Sequence, residues 1–370
     1  MRKKRLAILT NMLTPYRLAA YRRLGEAFDT RILHGGTEAN RSWKLDVPED
    51  LQTEKVWTWQ LIRKKKTGVA GVSDTNYVHL NLGLLWSLPR FRPDVIVTHE
   101  MGIRTVIALV YGKLMRVPVW VWWGGTVHSE RNVSQGRRRL RRWMVRHVRR
   151  WISYGATTTE YLETIGARRE QILQIQNCVP QETFTEEPSG QKAWFADRPR
   201  PVLLSVGQFI QRKGLDKLVD ACGRAKARGA EFSLVLVGKG PEEEALRRLA
   251  QESGLEHFEI LPNQSQQALN AMYRAADAFV FPTLEDVWGL VVNEALWAGL
   301  PVLCSQYAGC ARELLPEASV FDPLREESFD AAMEQALRGE LPRPDHARLL
   351  TWQQVGDLLV ESLESGRPVR

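Results

Sequence analysis

The sequence predicts an α/β protein of two doubly wound parallel sheets, one per domain. Two observations predict it. Short apolar runs recur along the whole chain, and helix-periodic segments separate them. The alternation stops once, at residues 181–200, QETFTEEPSGQKAWFADRPR, which is acidic, holds Pro, Ser and Gly, and has no period. This gives a first domain over 1–185 and a second over 196–345. A terminal helix at about 350–366 is expected to pack back on the first.

The elements follow in order. LAILT at 6–10, DTRILHG at 29–35, DVIVTHE at 94–100 and VPVWVWW at 117–123 are the strands of the first half. VPVWVWW is apolar throughout, as a strand covered on both faces requires. Residues 40–75 carry the weakest pattern, and RKKKTG at 63–68 is expected to be a solvated loop. Residues 136–152, GRRRLRRWMVRHVRRWI, carry eight Arg between 137 and 150. Leu140, Trp143, Met144, His147, Val148 and Trp151 recur at helical spacing, so a basic amphipathic helix is expected there. In the second half the strands are PVLLSVG at 201–207, FSLVLVG at 232–238, HFEIL at 257–261, AFVFP at 278–282 and LPVLC at 300–304.

Composition bounds the function. The 370 residues suffice for two domains, and 44% hydrophobic content is ordinary for a globular chain. Cys178, Cys222, Cys304 and Cys310 have no metal-ligand spacing and predict reduced thiols of a cytosolic protein. The apolar run near the N-terminus is five residues long, too short for a signal peptide. No run approaches the roughly 18 apolar residues that a spanning helix needs. Residues 1–180 carry 31 Lys and Arg against 14 Asp and Glu, the rest 20 against 29, and the whole chain is +8. Nine of the 13 Trp lie in that basic half. Basic and Trp-rich together suit an anionic membrane surface. Nucleic acid is the competing anion, but no nucleic-acid-binding motif is present.

The chemistry concentrates at 281–303, FPTLEDVWGLVVNEALWAGLPVL. The order is strand, acidic loop, Gly289, helix, Gly299, strand. In a parallel sheet such a loop lies at the carboxyl ends of the strands, where ligands bind. The helix start at Leu290 and Val291 offers unpaired N–H groups to a phosphate. Carboxylates beside it suit sugar or ribose hydroxyls. The segment therefore suits a molecule both phosphorylated and hydroxylated, although an ordinary strand–loop–helix has the same pattern. In VGQFIQRKGLDKLVDA, Gly207 ends a strand and the basic pair Arg212 and Lys213 precedes a helix. In VGKGPEEEALRRLA a Gly-x-Gly-Pro turn does the same.

These motifs resemble those of the retaining GT-B-fold glycosyltransferases of family 4, the glycosyl transferases group 1. The resemblance covers most of the chain and is strongest over 200–325. It implies two Rossmann-like domains facing across a cleft, the first for the acceptor and the second for a nucleotide-sugar donor. The family's acid, seven residues, then Glu is met by Asp286 and Glu294, with Asp where Glu is usual. Glu285 stands one residue early and joins the donor-binding set with Gly207, Arg212, Gly289, Leu290 and Val291. Lys213 matches the family's diphosphate Lys, and Gln208 stands where an Arg is common. The resemblance gives Glu294 the ribose hydroxyls, and gives Asp286 the donor sugar. His128, in GGTVHSE at 124–130, matches a His that points at that sugar; a structural hydrogen bond is the alternative. His99 is a weaker candidate. In TNMLTPYR at 10–17, Tyr16 and Arg17 fall on the acceptor side, and Arg17 either meets an acceptor phosphate or caps the next helix. Arg137, Arg138, Arg141 and Arg142 are expected to face a membrane.

The expected function is a retaining, hexosyl-type transfer from a nucleotide-diphosphate sugar to a glycan or lipid-linked acceptor. The product class is bacterial cell-surface polysaccharide: lipopolysaccharide, O-antigen, capsule or exopolysaccharide. The protein is expected on the inner face of the cytoplasmic membrane. No cofactor and no metal are expected. A small soluble natural-product acceptor is the alternative. A catalytically silent binding subunit is a second alternative, suggested by Asp286 and Gln208.

Overall fold

The computed structural model describes residues 2–36, 49, 51–66, 73–187 and 194–369. Its first elements are β1 (Arg5–Thr10), α1 (Pro15–Ala27), β2 (Asp29–His34), β3 (Gln52–Lys55), β4 (Trp59–Lys66), β5 (Ser73–Leu80), α2 (Leu84–Phe91), β6 (Val95–His99), α3 (Ile103–Met115), β7 (Val119–Trp123), α4 (Gln135–His147), β8 (Trp151–Tyr154), α5 (Gly155–Thr164) and β9 (Ile172–Ile175). Then come α6 (Glu182–Thr185), β10 (Val202–Val206), α7 (Leu215–Ala227), β11 (Ser233–Val237), α8 (Glu243–Glu252), β12 (Phe258–Leu261), α9 (Gln266–Ala275), β13 (Ala278–Phe281), α10 (Leu290–Trp297), β14 (Val302–Ser305), α11 (Ala311–Leu314), β15 (Val320–Phe321), α12 (Glu326–Leu337) and α13 (Trp352–Ser365). The chain divides into two compact units. One draws on Met1–Lys65, Asp74–Cys178 and Leu350–Arg370, and the other centres on Val179–Leu349.

The first unit holds a seven-stranded sheet in the order β3-β2-β1-β6-β7-β8-β9. Every pairing in it is parallel; Ile8 faces Ile32 on one side and Val97 on the other. Leu6, Ala7, Ile8 and Leu9 are all fully buried, which is why β1 lacks polar alternation. Helix α13 returns to this unit and packs on α1. Thr351 and Gln354 form a capping box at its start, and Gly366 closes it in the left-handed region at φ 70°. Its buried face is Val355, Leu359 and Leu363. Each such side chain contributes about 1.5–3 kcal/mol by leaving water.

The second unit holds a six-stranded parallel sheet in the order β12-β11-β10-β13-β14-β15. Helix α7 buries Leu215, Leu218, Val219 and Cys222, the spacing of one helix face, against Leu203, Leu234 and Val280. All four cysteines are buried free thiols. Burial pushes the Cys178 thiol up to about 12, so it is a poor nucleophile.

Three local expectations change. Strand β4 runs through Lys66, so the first part of the expected 63–68 loop is strand, and Thr67 and Gly68 lie outside the described residues. Helix α4 ends at His147, and Trp151 begins β8 with no exposure, so it is a sheet residue and not part of the basic helix. Within the expected linker, α6 forms and Phe184 is buried against Tyr273, ring centroids 6.1 Å apart. Residues 188–193 of that linker lie outside the described residues.

Candidate functional site

In the second unit the strand order reverses between β10 and β13. The loops that follow these two strands therefore meet at the switch point, where a parallel α/β sheet leaves a crevice. After β10, residues 211–213 make one tight turn, and Gly214 follows at φ 63°. A Cβ there would stand 2.3 Å from the Pro282 carbonyl oxygen, so only glycine lets the two loops approach so closely. The Arg212 carbonyl accepts bonds from Leu284 N–H at 2.8 Å and Thr283 Oγ1 at 3.1 Å. A Cβ on Gly207 would meet nothing within 4 Å, so the backbone borders open space there.

Charged side chains converge across this junction. Lys213 Nζ lies 2.5 Å from Asp286 Oδ2 and 5.0 Å from the centroid of the Phe281 ring. Arg212 donates to the Glu285 carbonyl at 3.2 Å and lies 3.9 Å from Asp286 Oδ2. Trp288 N–H donates to Asp286 Oδ1 at 3.2 Å. Burial alone would raise the Asp286 pKa; Lys213, Arg212 and the Trp288 N–H outweigh it and hold the carboxyl below its usual range. Asp286 is thus a carboxylate that meets both cations. Gly289, at φ 105°, then starts α10; a Cβ would stand 2.7 Å from the Phe281 ring. The first turn of α10, with Leu290 and Val291, holds no acid.

Glu294 projects from α10, where its Oε2 accepts from Tyr273 OH at 2.9 Å. Burial pushes its carboxyl up to about 7, against the opposing pull of the Tyr273 bond. Sequence reading did not find Tyr273. It stands 21 residues away on α9, and no local pattern links the two.

In the first unit the corresponding reversal lies between β1 and β6. His99, at the end of β6, stacks on Trp122 at 4.8 Å and meets Tyr21 OH through Nε2 at 3.0 Å. Burial, with Arg17 and Arg104 nearby, keeps His99 neutral. Arg17 Nε donates to Tyr154 OH at 3.2 Å, and its guanidinium lies 5.7 Å from the Tyr16 ring centroid. His128 sits on a turn fixed by Thr126 and Ser129: each backbone N–H donates to the other's hydroxyl, at 2.9 and 3.1 Å. Its carbonyl accepts from Arg131 Nε at 3.0 Å.

Helix α4 corrects one assignment. Arg141 is 5% exposed; it pairs with Glu130, donates to Tyr161 OH at 2.7 Å and lies over the Trp123 ring. It faces the core of its unit, because a partly buried carboxylate there needs a cation. Arg138 and Arg142 are exposed, and Arg137 is half-buried. The single apolar stripe expected for this helix is divided. Met144, Val145 and Val148 are buried, while Leu140 and Trp143 stand exposed among the arginines. Among the described residues no three His, Cys, Asp or Glu side chains could hold a metal ion, and no helix is long and apolar enough to cross a membrane.

Residues 188–349 match the family described as Glycosyl transferases group 1. The chain is 32% identical over 154 residues to the putative colanic acid biosynthesis glycosyltransferase WcaL of Salmonella typhimurium, covering 40% of this chain and 37% of that protein. It is 27% identical over 209 residues to a GDP-mannose-dependent monoacylated alpha-(1-6)-phosphatidylinositol monomannoside mannosyltransferase of Corynebacterium glutamicum, covering 52% and 54%. The alignments thus span less than two thirds of the length of these relatives. Among solved structures, Anabaena Alr3699/HepE in complex with UDP superposes with a TM-score of 0.75 at 16% identity, over 99% of this chain and 100% of that one. WaaG, a glycosyltransferase involved in lipopolysaccharide biosynthesis, superposes at 0.61 and 15% identity over 98% of each chain. The two-unit parallel α/β architecture is the GT-B fold of these structures.

Proposed function

We propose that this protein is a retaining glycosyltransferase that moves a sugar from a nucleotide diphosphate to a lipid-linked or glycan acceptor in bacterial cell-surface polysaccharide synthesis. The observation that carries the reading is the convergence of Lys213, Arg212 and Asp286 at the switch point of the second unit. The match of residues 188–349 covers that site.

On this reading the donor's diphosphate is the leaving group. Negative charge grows on its β-phosphate as the glycosidic bond breaks, while oxocarbenium-like charge grows on the sugar. Lys213, Arg212 and the backbone N–H groups of Leu290 and Val291 stabilise the departing phosphate. A donor placed before the reaction reorients nothing during it, and one such bond is worth roughly 3–4 kcal/mol. Glu294 accepts from the ribose hydroxyls. Asp286 orients the sugar, and the Asp286–Lys213 pair keeps the cation at the junction of the two loops. The departing phosphate takes the acceptor's proton, so no protein base is assigned.

The acceptor reading places the protein peripherally on the inner face of an anionic membrane. It is supported by the basic first half and by Trp57, Trp59 and Trp86, which are 65%, 57% and 67% exposed. An amphipathic indole is at home at a membrane–water interface. The test of the donor site is Lys213→Ala. It should abolish transfer and weaken binding of the nucleoside diphosphate while the fold survives. Unchanged nucleotide affinity removes Lys213 from the site.

A further inference from the structure

The switch point of the first unit carries charge that nothing in the donor reading uses. Helices α1 and α3 follow β1 and β6 and start on either side of it. Each holds an arginine in its first turn, Arg17 and Arg104, and neither first turn holds an acid. A cation at the positive end of a helix is unfavourable unless an anion joins it. Arg104 is 4% exposed and is spent internally, donating to the Asn11 side chain and the His99 carbonyl. Arg17 is partly exposed, and its polar partners include the neutral hydroxyls of Tyr154 and Tyr21. The neighbouring acid is the exposed Glu100, which accepts from Asn11 Nδ2 at 3.2 Å.

A second observation is independent of charge. Thr14 occupies the N-cap position of α1, yet its hydroxyl caps nothing. It is 2% exposed, and Oγ1 has no hydrogen-bond partner. A buried hydroxyl without a partner is unfavourable, so a ligand oxygen there recovers what the protein forgoes.

We propose that the β1–β6 switch point is a phosphate-recognition site for the acceptor, with Arg17 as its cation and the Thr14 hydroxyl as its neutral donor. This rests on the reading that the first unit binds the acceptor. The shared chemistry is a phosphate ester, carried by a lipid headgroup or by a free phosphosugar. Guanidinium fits it because its planar donors match phosphate oxygens.

The test is calorimetric titration of the full chain with glycerol 1-phosphate, with UDP present to fill the nucleotide site. Arg17→Gln should weaken the phosphate ester about tenfold and Thr14→Val about threefold. Arg17→Lys should recover part of the loss. UDP affinity and melting temperature should not fall, and Thr14→Val should melt no lower because it removes an unpaired hydroxyl. A parallel loss on phosphatidylcholine vesicles doped with phosphatidic acid assigns the site to a lipid headgroup; a loss confined to glycerol 1-phosphate assigns it to a soluble phosphoester. Wild-type affinity in both variants overturns the proposal, as does a wild type that does not bind the probe. An equal loss of UDP in Arg17→Gln overturns it too, by placing Arg17 with the donor. If UDP binds nowhere while the phosphate losses stand, the donor reading fails and this site survives.

Discussion

Glu294→Gln separates what the buried acid does for the fold from what it does for the ligand. The carboxyl titrates near 7 in the folded chain against 4.5 in the reference state. Below 4.5 it is protonated in both states. As pH rises through 7 the folded protein must bury a carboxylate, and the stability held at low pH is lost. Raising the carboxyl from 4.5 to about 7 corresponds to roughly 3.4 kcal/mol as an upper bound. Partial exposure of the side chain reduces this to about 1–2 kcal/mol. Glutamine keeps the acceptor for Tyr273 OH and removes the charge. The variant should therefore melt above wild type at pH 8, and the two melting temperatures should converge toward pH 4.5. At pH 8 the variant should bind the nucleoside diphosphate more weakly, by about 1.5–3 kcal/mol, since it loses charge-assisted bonds. Wild-type affinity should also decline below pH 7 as the carboxylate takes up a proton. Thermal melts across pH, paired with nucleotide titrations, read both effects. A melting difference that is flat in pH refutes the argument from burial. A stabilised variant with full nucleotide affinity refutes the ribose role.

Three further outcomes are expected. Asp286→Asn should lower turnover more than nucleotide affinity, since the departing diphosphate keeps Lys213; if Glu285→Gln is the more damaging change in kinetic assays, the register of the acidic loop is wrong. Wild type should sediment with anionic vesicles, less so as salt screens exposed charge beyond about 10 Å at 0.1 M. Replacing Arg138 and Arg142 by Ser should release it without loss of thermal stability, whereas Arg141→Ser should cost about 3–5 kcal/mol of stability by stranding Glu130. Equal binding to neutral and anionic vesicles at every salt concentration ends the electrostatic account. Leu359→Ala should cost about 2–5 kcal/mol in denaturant unfolding if α13 is integral to the first unit, and no change would show that its packing adds nothing.

The sequence alone determined the parallel α/β class. A strand buried on both faces must be apolar throughout, and LAIL, VWVWW and LVLV have that property whatever surrounds them. It also located the loops after β10 and β13, because glycines and charges mark strand ends locally. Strand β8 escaped, since it adjoins an arginine-rich helix and Trp151 continues that helix's apolar spacing. Only the tertiary structure decided which way Arg141 points, for its partners Glu130 and Tyr161 come from other elements. It alone placed Tyr273 on Glu294, and Asp286 between Lys213 and Arg212. Local periodicity records which faces meet a core. Which loops converge depends on strand order, and strand order is set by contacts between residues far apart in the chain.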